Sequence, residues 1–180
     1  TSQQNHKKTG IIAIVAIVAA VLIAVAVIFS IFHAVKGRSP EKTVDQLVTS
    51  MFKLDADGII DTFPKEAVNK LKEEGNWDDE YDDLVSGIES IAQSVGEYVD
   101  LEKMCSYKIT ETKDATEDEI AEIQEDYDDE GIDVKIKDAK IMTVELTINI
   151  PIYGSETDSE DIVVIKIGNS WYIDPMNFSL

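Results

Sequence analysis

Nineteen consecutive apolar side chains run from Ile11 to Phe29, and only Ser30 and His33 interrupt the pattern before Val35. As helix, the 25 residues 11–35 would be roughly 37 Å long, more than the ~30 Å hydrocarbon core of a bilayer requires. A cleaved signal peptide fits poorly. Its apolar region is about 7–15 residues and ends at a small-residue cleavage site, whereas Ala24-Val25-Ala26 lies inside the run with apolar residues on both sides. No cysteine stands at the end of the run to accept a bacterial lipoprotein anchor. A buried soluble helix would need core on every face. Residues 11–35 therefore read as an uncleaved transmembrane helix, with a basic tail at 1–10, a linker at 36–39 and an α+β domain at 40–180. Ala16, Ala20 and Ala24 place small residues four apart, a weak signal for packing two spans together.

Orientation follows from the flanks. Lys7 and Lys8 precede the span, and Lys36 and Arg38 follow it, so the local count of positive charge is a tie. The short tail tips the expectation toward an inside N-terminus, because a long domain translocates regardless of its charge. The domain is then extracytoplasmic and the chain a single-pass protein of the cell membrane. Beginning at Thr1 rather than methionine, the chain reads as a fragment whose missing part lies on the tail side.

The charge is lopsided. Residues 1–38 carry four lysines and arginines and no acid, which leaves −24 on residues 39–180 from a whole-chain −20. Such a field repels nucleic acid and anionic lipid, and attracts cations and basic peptides. Both histidines, His6 and His33, precede residue 40, as does the only arginine, Arg38. A Ser-His-Asp or Cys-His arrangement, a histidine-ligated zinc and an arginine clamp are therefore not expected in the domain. Cys105 is the only cysteine, so no internal disulfide forms. Alternating with polar residues beside Tyr107 and Ile109, it reads as a small buried hydrophobe.

Helical spacing opens the domain. Ser39 and Pro40 supply a cap and first position for a helix burying Val44, Leu47, Val48 and Met51. Asp55-Ala56-Asp57-Gly58 breaks it, with Asp57 a possible cap. A short helix with Ile59, Ile60 and Phe63 follows. Pro64 starts a third helix through Val68 and Leu71, closed by Gly75. A fourth runs from about Asp78 with Tyr81, Leu84, Val85, Ile88, Ile91, Ala92 and Val95 as its stripe. The period then becomes two. Cys105, Tyr107 and Ile109 mark a strand. Thr116 and Glu119 form a capping box for a helix with Ile120, Ile123 and Tyr127, ending near Gly131. Even positions Val134, Ile136, Met142, Val144, Leu146, Ile148, Ile150 and Ile152 form one buried face, with Thr143, Glu145, Thr147 and Asn149 on the wet side. Asp138 and Lys140 interrupt the apolar face and predict a bend or break. Gly154 to Asp161 reads as a polar loop. Ile162–Ile167 and Trp171–Ile173 form a hairpin around Gly168-Asn169. Helices followed by antiparallel strands define an α+β class.

The helix break at Leu54-Asp55-Ala56-Asp57 and the ending Val163-Val164-Ile165-Lys166-Ile167-Gly168-Asn169-Ser170-Trp171-Tyr172-Ile173-Asp174-Pro175 give residues 40–180 their likeness. This stretch resembles the nuclear transport factor two-like (cystatin-like cone) superfamily, in the form carried by membrane-anchored proteins of Gram-positive bacteria. The resemblance implies a cone, a curved antiparallel sheet wrapped over the leading helices, with the helix at 116–130 inserted between the first two strands. It also makes a zinc ribbon the candidate for a missing part before the span, although nothing in residues 1–10 shows one.

No catalytic, cofactor-binding or metal-ligating residue is assigned from the sequence. Asp126-Tyr127-Asp128-Asp129-Glu130-Gly131 starts like a calcium loop, but the twelfth position is Lys137 and the eighth is Asp133, so a solvated helix end explains it better. Asp55, Asp57 and Gly58 fail the same test, with Lys53 first and Pro64 twelfth. Asp78, Asp79, Glu80, Asp82 and Asp83 sit at a helix N-terminus, where acids favour the macrodipole; a weak divalent-cation site is the lesser alternative. Asn177-Phe178-Ser179 is a formal glycosylation sequon. Trp171 and Tyr172 face opposite sides of a strand, as core or rim packing.

Two functions remain. The first is a non-catalytic binding module, held by membrane lipid around the span, whose partner is a basic peptide, a cell-wall fragment or a protein and not a nucleic acid. The alternative is an enzyme of proton-transfer or lyase type, using an aspartate of raised pKa and a tyrosine in an apolar cone pocket. Asp138 is the first aspartate to inspect for that role, with Tyr107 and Tyr172 as phenols.

Overall fold

The computed structural model describes residues 37–75, 77–95, 100–152 and 154–176. The apolar run 11–35, the tail 1–10 and the sequon at 177–179 lie outside these. Among the described residues no helix is long and apolar enough to cross a membrane.

Helices come first. α1 (Pro40–Lys53) is capped by Ser39, whose side chain accepts from the Lys42 N–H, and buries Val44, Leu47, Val48 and Met51 as the periodicity predicts. It stops at Leu54, a non-glycine residue at φ +56° that turns its N–H back to the Met51 and Ser50 carbonyls. α2 (Ala56–Ile60) is capped by Asp55, not Asp57: the Asp55 carboxylate accepts from the Gly58 N–H at 3.1 Å. α3 (Lys65–Glu74) and α4 (Trp77–Val95) follow. In α4 Leu84 is buried, and Tyr81 and Ile88 pack on the core, but Ala92 is exposed. A single-turn helix α5 (Leu101–Met104), too short to show a period, leads into the sheet.

Four strands in the order β1-β2-β3-β4 make an antiparallel meander: β1 (Cys105–Asp114), β2 (Ile136–Ile150), β3 (Gly154–Ile167) and β4 (Ser170–Ile173). Between β1 and β2 lies α6 (Glu117–Asp129), opened by the reciprocal Thr116–Glu119 capping box. The predicted interruption at Asp138 is a β-bulge. Ile136 pairs with Ile167 but Asp138 with Lys166, so Lys137 is the extra residue. The bulge reverses the parity of β2, and Ile136 comes to share a face with Ala139. The hairpin turn at Gly168-Asn169 has φ +61° at its glycine, the first central position of a type II′ turn.

Two apolar clusters sandwich the sheet. On one face α1, α2, α4 and α5 pack against Met142, Val144, Leu146, Ile162, Val164, Trp171 and Ile173. On the other, Ile123 and Tyr127 of α6 meet Ile136, Ala139, Ile165 and Tyr172. Trp171 and Tyr172 thus face opposite sides, as predicted, and both are core. Cys105 is buried in the first cluster, and burial pushes its thiol pKa up.

Three expectations are corrected. Gly154 to Asp161 is not a loop but the first half of β3, paired in continuous register with β2 from Asp161↔Thr143 to Gly154↔Ile150. Its side chains are polar because they face water, so composition concealed the strand. Ile152 leaves the apolar face altogether: it stands in the β2–β3 turn at φ +77° and is 100 % exposed. Finally, the domain begins before residue 40. Gly37 donates its N–H to Ser170 Oγ at 2.6 Å, and Arg38, expected in a linker outside the domain, is only 6 % exposed.

Candidate functional site

Asp138 stands at the β2 bulge. It is half-buried, and its carboxylate accepts from the adjacent Ala139 N–H at 2.9 Å, a local turn bond. Tyr107 lies elsewhere. Its hydroxyl donates to the Asp45 carboxylate of α1 and its ring meets Phe52 edge-on at 6.4 Å between centroids. Burial, then that acceptor, raises its pKa, so the phenol stays protonated. Tyr172 sits in the second cluster, its pKa raised mainly by burial, with the Arg38 guanidinium 5.8 Å from its ring centroid. Trp171, on the other face, is flanked by Lys140 and Lys166 ammoniums at 5.5 and 5.7 Å. The three residues proposed for proton transfer are not brought together.

A buried aspartate–tyrosine pair exists where the sequence did not point. Tyr127 of α6 and Asp174, just beyond β4, are each 0 % exposed. The Tyr127 hydroxyl donates to Asp174 Oδ1 at 3.1 Å, and the Met176 N–H donates to the same oxygen at 3.1 Å. Burial above all, then the neighbouring carboxylate, holds the Tyr127 pKa well above its ordinary value. Tyr127 read as core and Asp174 as part of the chain's ending; nothing in their spacing joins them. Sealed from solvent, the pair ties α6 to the end of β4.

Arg38 is the other buried polar centre. Its guanidinium donates to Gln46 Oε1 at 2.6 Å and to the Asp61 carbonyl at 3.0 Å, with longer contacts of 3.4 and 3.5 Å to the Trp171 carbonyl. Burial lowers its pKa, and Tyr172 and Asp61 act the other way. Arg38, Thr43 and Thr62 together seal the outer edge of β4. The Trp171 N–H reaches the Arg38 carbonyl at 3.1 Å, the Ile173 N–H reaches the Thr62 carbonyl at 2.8 Å, and the Trp171 carbonyl takes the Thr43 hydroxyl at 2.9 Å. An edge so occupied cannot pair with another strand.

The acidic motifs behave as solvated charge. Asp78, Asp79, Asp82 and Asp83 are exposed on the first turns of α4, and Asp128 to Gly131 are exposed at the end of α6. Among the described residues no three His, Cys, Asp or Glu side chains converge as a metal site. A further polar surface is the first half of β3, beyond the residues that β4 covers. There Glu156, Asp158 and Glu160 follow one another at alternate positions of β3.

The class these observations define is an α+β domain with helices packed on a four-stranded antiparallel sheet. In comparison with known proteins, the chain matches no family model, no curated protein and no solved structure.

Proposed function

We propose that the protein is a membrane-anchored, extracytoplasmic binding module without catalytic activity, held in the bilayer by residues 11–35 and binding through its acidic surface. The observation that carries this reading is the closure of Tyr127 and Asp174. Among the described residues they are the phenol–carboxylate pair with the burial that acid–base chemistry uses, yet both are 0 % exposed, so no substrate reaches them. The other candidates, Asp138, Tyr107 and the core residue Tyr172, are dispersed over separate elements. The resemblance to the cone superfamily belongs to the same reading. Its support is the order of helices before antiparallel strands and the position of α6 between β1 and β2.

The test is affinity capture from the membrane fraction with the full chain as bait, followed by direct binding of the purified partner. The expected result is a specific partner whose affinity falls with salt, because an acidic surface acts through a summed field screened over a Debye length of about 8–10 Å. Affinity should survive Asp138→Asn, Tyr107→Phe and Tyr172→Phe singly. If the protein instead turns over a substrate, and one of these changes costs more than about a hundredfold in rate in a folded protein, the enzyme replaces the module.

A further inference from the structure

Among the described residues, β3 is covered along only part of its outer side. β4 pairs with it from Val164↔Ile173 to Ile167↔Ser170, and one further bond, from the Asp174 N–H to the Val163 carbonyl at 2.9 Å, extends the contact. Pro175 then has no N–H to give, and the Met176 N–H turns back to Asp174. Val163 directs its backbone groups toward β4. A strand repeats every two residues, so Ser155, Thr157, Ser159 and Asp161 direct theirs the same way. Among the described residues no strand meets them. The Ser159 N–H is occupied locally, by the Asp158 carboxylate at 2.9 Å.

The side chains bordering this edge are sorted by charge. Glu156, Asp158 and Glu160 share the face of Ile162 and Val164, and among the described residues none of the three forms an ion pair. On the opposite face the polar groups are engaged across the ladder: Thr157 with Thr147 at 2.9 Å, Ser155 with Asn149 at 2.5 Å and Asp161 with Thr143 at 2.6 Å. These bonds tie the strand to β2, and its outer backbone groups face away from them.

We propose that this edge receives an extended segment of a partner protein, with lysine or arginine at alternate positions, as an added strand beside residues 155–161. The proposal rests on the binding-module reading and names its surface and its partner. Backbone pairing supplies the docking geometry, and the alternating acids select the side chains. A second copy is a poor occupant, since edge-to-edge pairing would set one row of acids against another; an apolar strand would strand its side chains beside carboxylates. The charges that guard the edge against its like therefore define what it accepts. The exposed Ile152 at the tip, held at positive φ, lies where such a segment would leave or enter the arm.

The experiment uses the full chain in lipid nanodiscs and an end-capped octapeptide of alternating lysine and threonine, followed by fluorescence anisotropy at low and physiological salt. Two further peptides carry N-methyl groups, one on each alternate set of amides, with the charge unchanged. The expected result is binding of the parent peptide, at least tenfold loss for one methylated set, little loss for the other, and no binding of the matching glutamate–threonine peptide. Thr157→Pro removes an outward N–H, leaves the backbone bonds to β2 in place, gives up the Thr147 hydroxyl contact, and should weaken binding at least tenfold. Should that variant fail to fold, the triple change Glu156→Gln, Asp158→Asn, Glu160→Gln should show the same loss. No binding up to millimolar peptide, equal binding of both methylated sets and the parent, or undiminished binding to the folded variants overturns the proposal. A captured partner that still binds the Thr157→Pro protein removes the edge but leaves the module standing.

Discussion

Removing the Arg38 side chain tests whether the domain starts at residue 37 or at residue 40. The guanidinium makes two good bonds, to Gln46 Oε1 and to the Asp61 carbonyl, at 2.6 and 3.0 Å. Bonds to a charged donor contribute about 1.5–3 kcal/mol each. The cost of burying the charge offsets part of this. The acceptors left behind are also half-buried and recover some water, and the Trp171 carbonyl keeps its Thr43 donor. Arg38→Ala should therefore cost about 2–4 kcal/mol. Arg38→Lys should cost about half as much, because an ammonium cannot span both acceptors as the guanidinium fork does. Trimming the chain to residues 40–180 should cost more than either. It also strips the Trp171 N–H of its acceptor and α1 of its Ser39 cap, the latter alone worth about 1 kcal/mol. The measurement is urea unfolding, followed by far-ultraviolet circular dichroism, of residues 36–180, the two point variants and residues 40–180. With a urea slope of about 2 kcal/mol/M, the Arg38→Ala midpoint should fall by about 1–2 M. Unfolding of residues 40–180 within about 0.5 kcal/mol of residues 36–180 would refute the edge seal.

Three other outcomes are expected. Tyr127→Phe leaves the wholly buried Asp174 short of one donor and should cost about 1–3 kcal/mol, read as a lowered urea midpoint with the circular dichroism spectrum unchanged. Gly58→Ala puts a methyl group 2.4 Å from Ser50 Oγ and 2.6 Å from Asp55 Oδ2, displacing the α2 cap; a loss of about 1–2 kcal/mol is expected, and a neutral result would show that the cap yields freely. The third concerns acid. The Thr116 N–H and hydroxyl hold the Glu119 pKa below its ordinary value. This group's stabilisation is therefore complete above the unfolded value of about 4.3 and is lost as pH falls through the lower folded value. The difference in melting temperature between the native protein and Glu119→Ala should shrink across that acid window, and a difference that widens as pH falls would contradict the capping geometry.

Local signals in the sequence carried most of the elements. Ser39, Pro40 and the stripe Val44, Leu47, Val48 and Met51 specify α1 within a few residues of chain, and Thr116 with Glu119 specifies the start of α6 in the same way. The type II′ turn and the opposed burial of Trp171 and Tyr172 also follow from neighbours in sequence. What tertiary structure alone decided involves partners far apart. Arg38 is anchored by Trp171, 133 positions away, and Tyr127 by Asp174, 47 positions away; no periodicity joins such pairs. The first half of β3 was hidden for a related reason. Its Ser, Thr, Asp and Glu side chains have the composition of a loop, and they form a strand because β2 supplies the hydrogen-bonding template in register. Pattern reads the burial of side chains, which is written locally. Backbone pairing and the capture of one buried charge are settled only when distant segments meet.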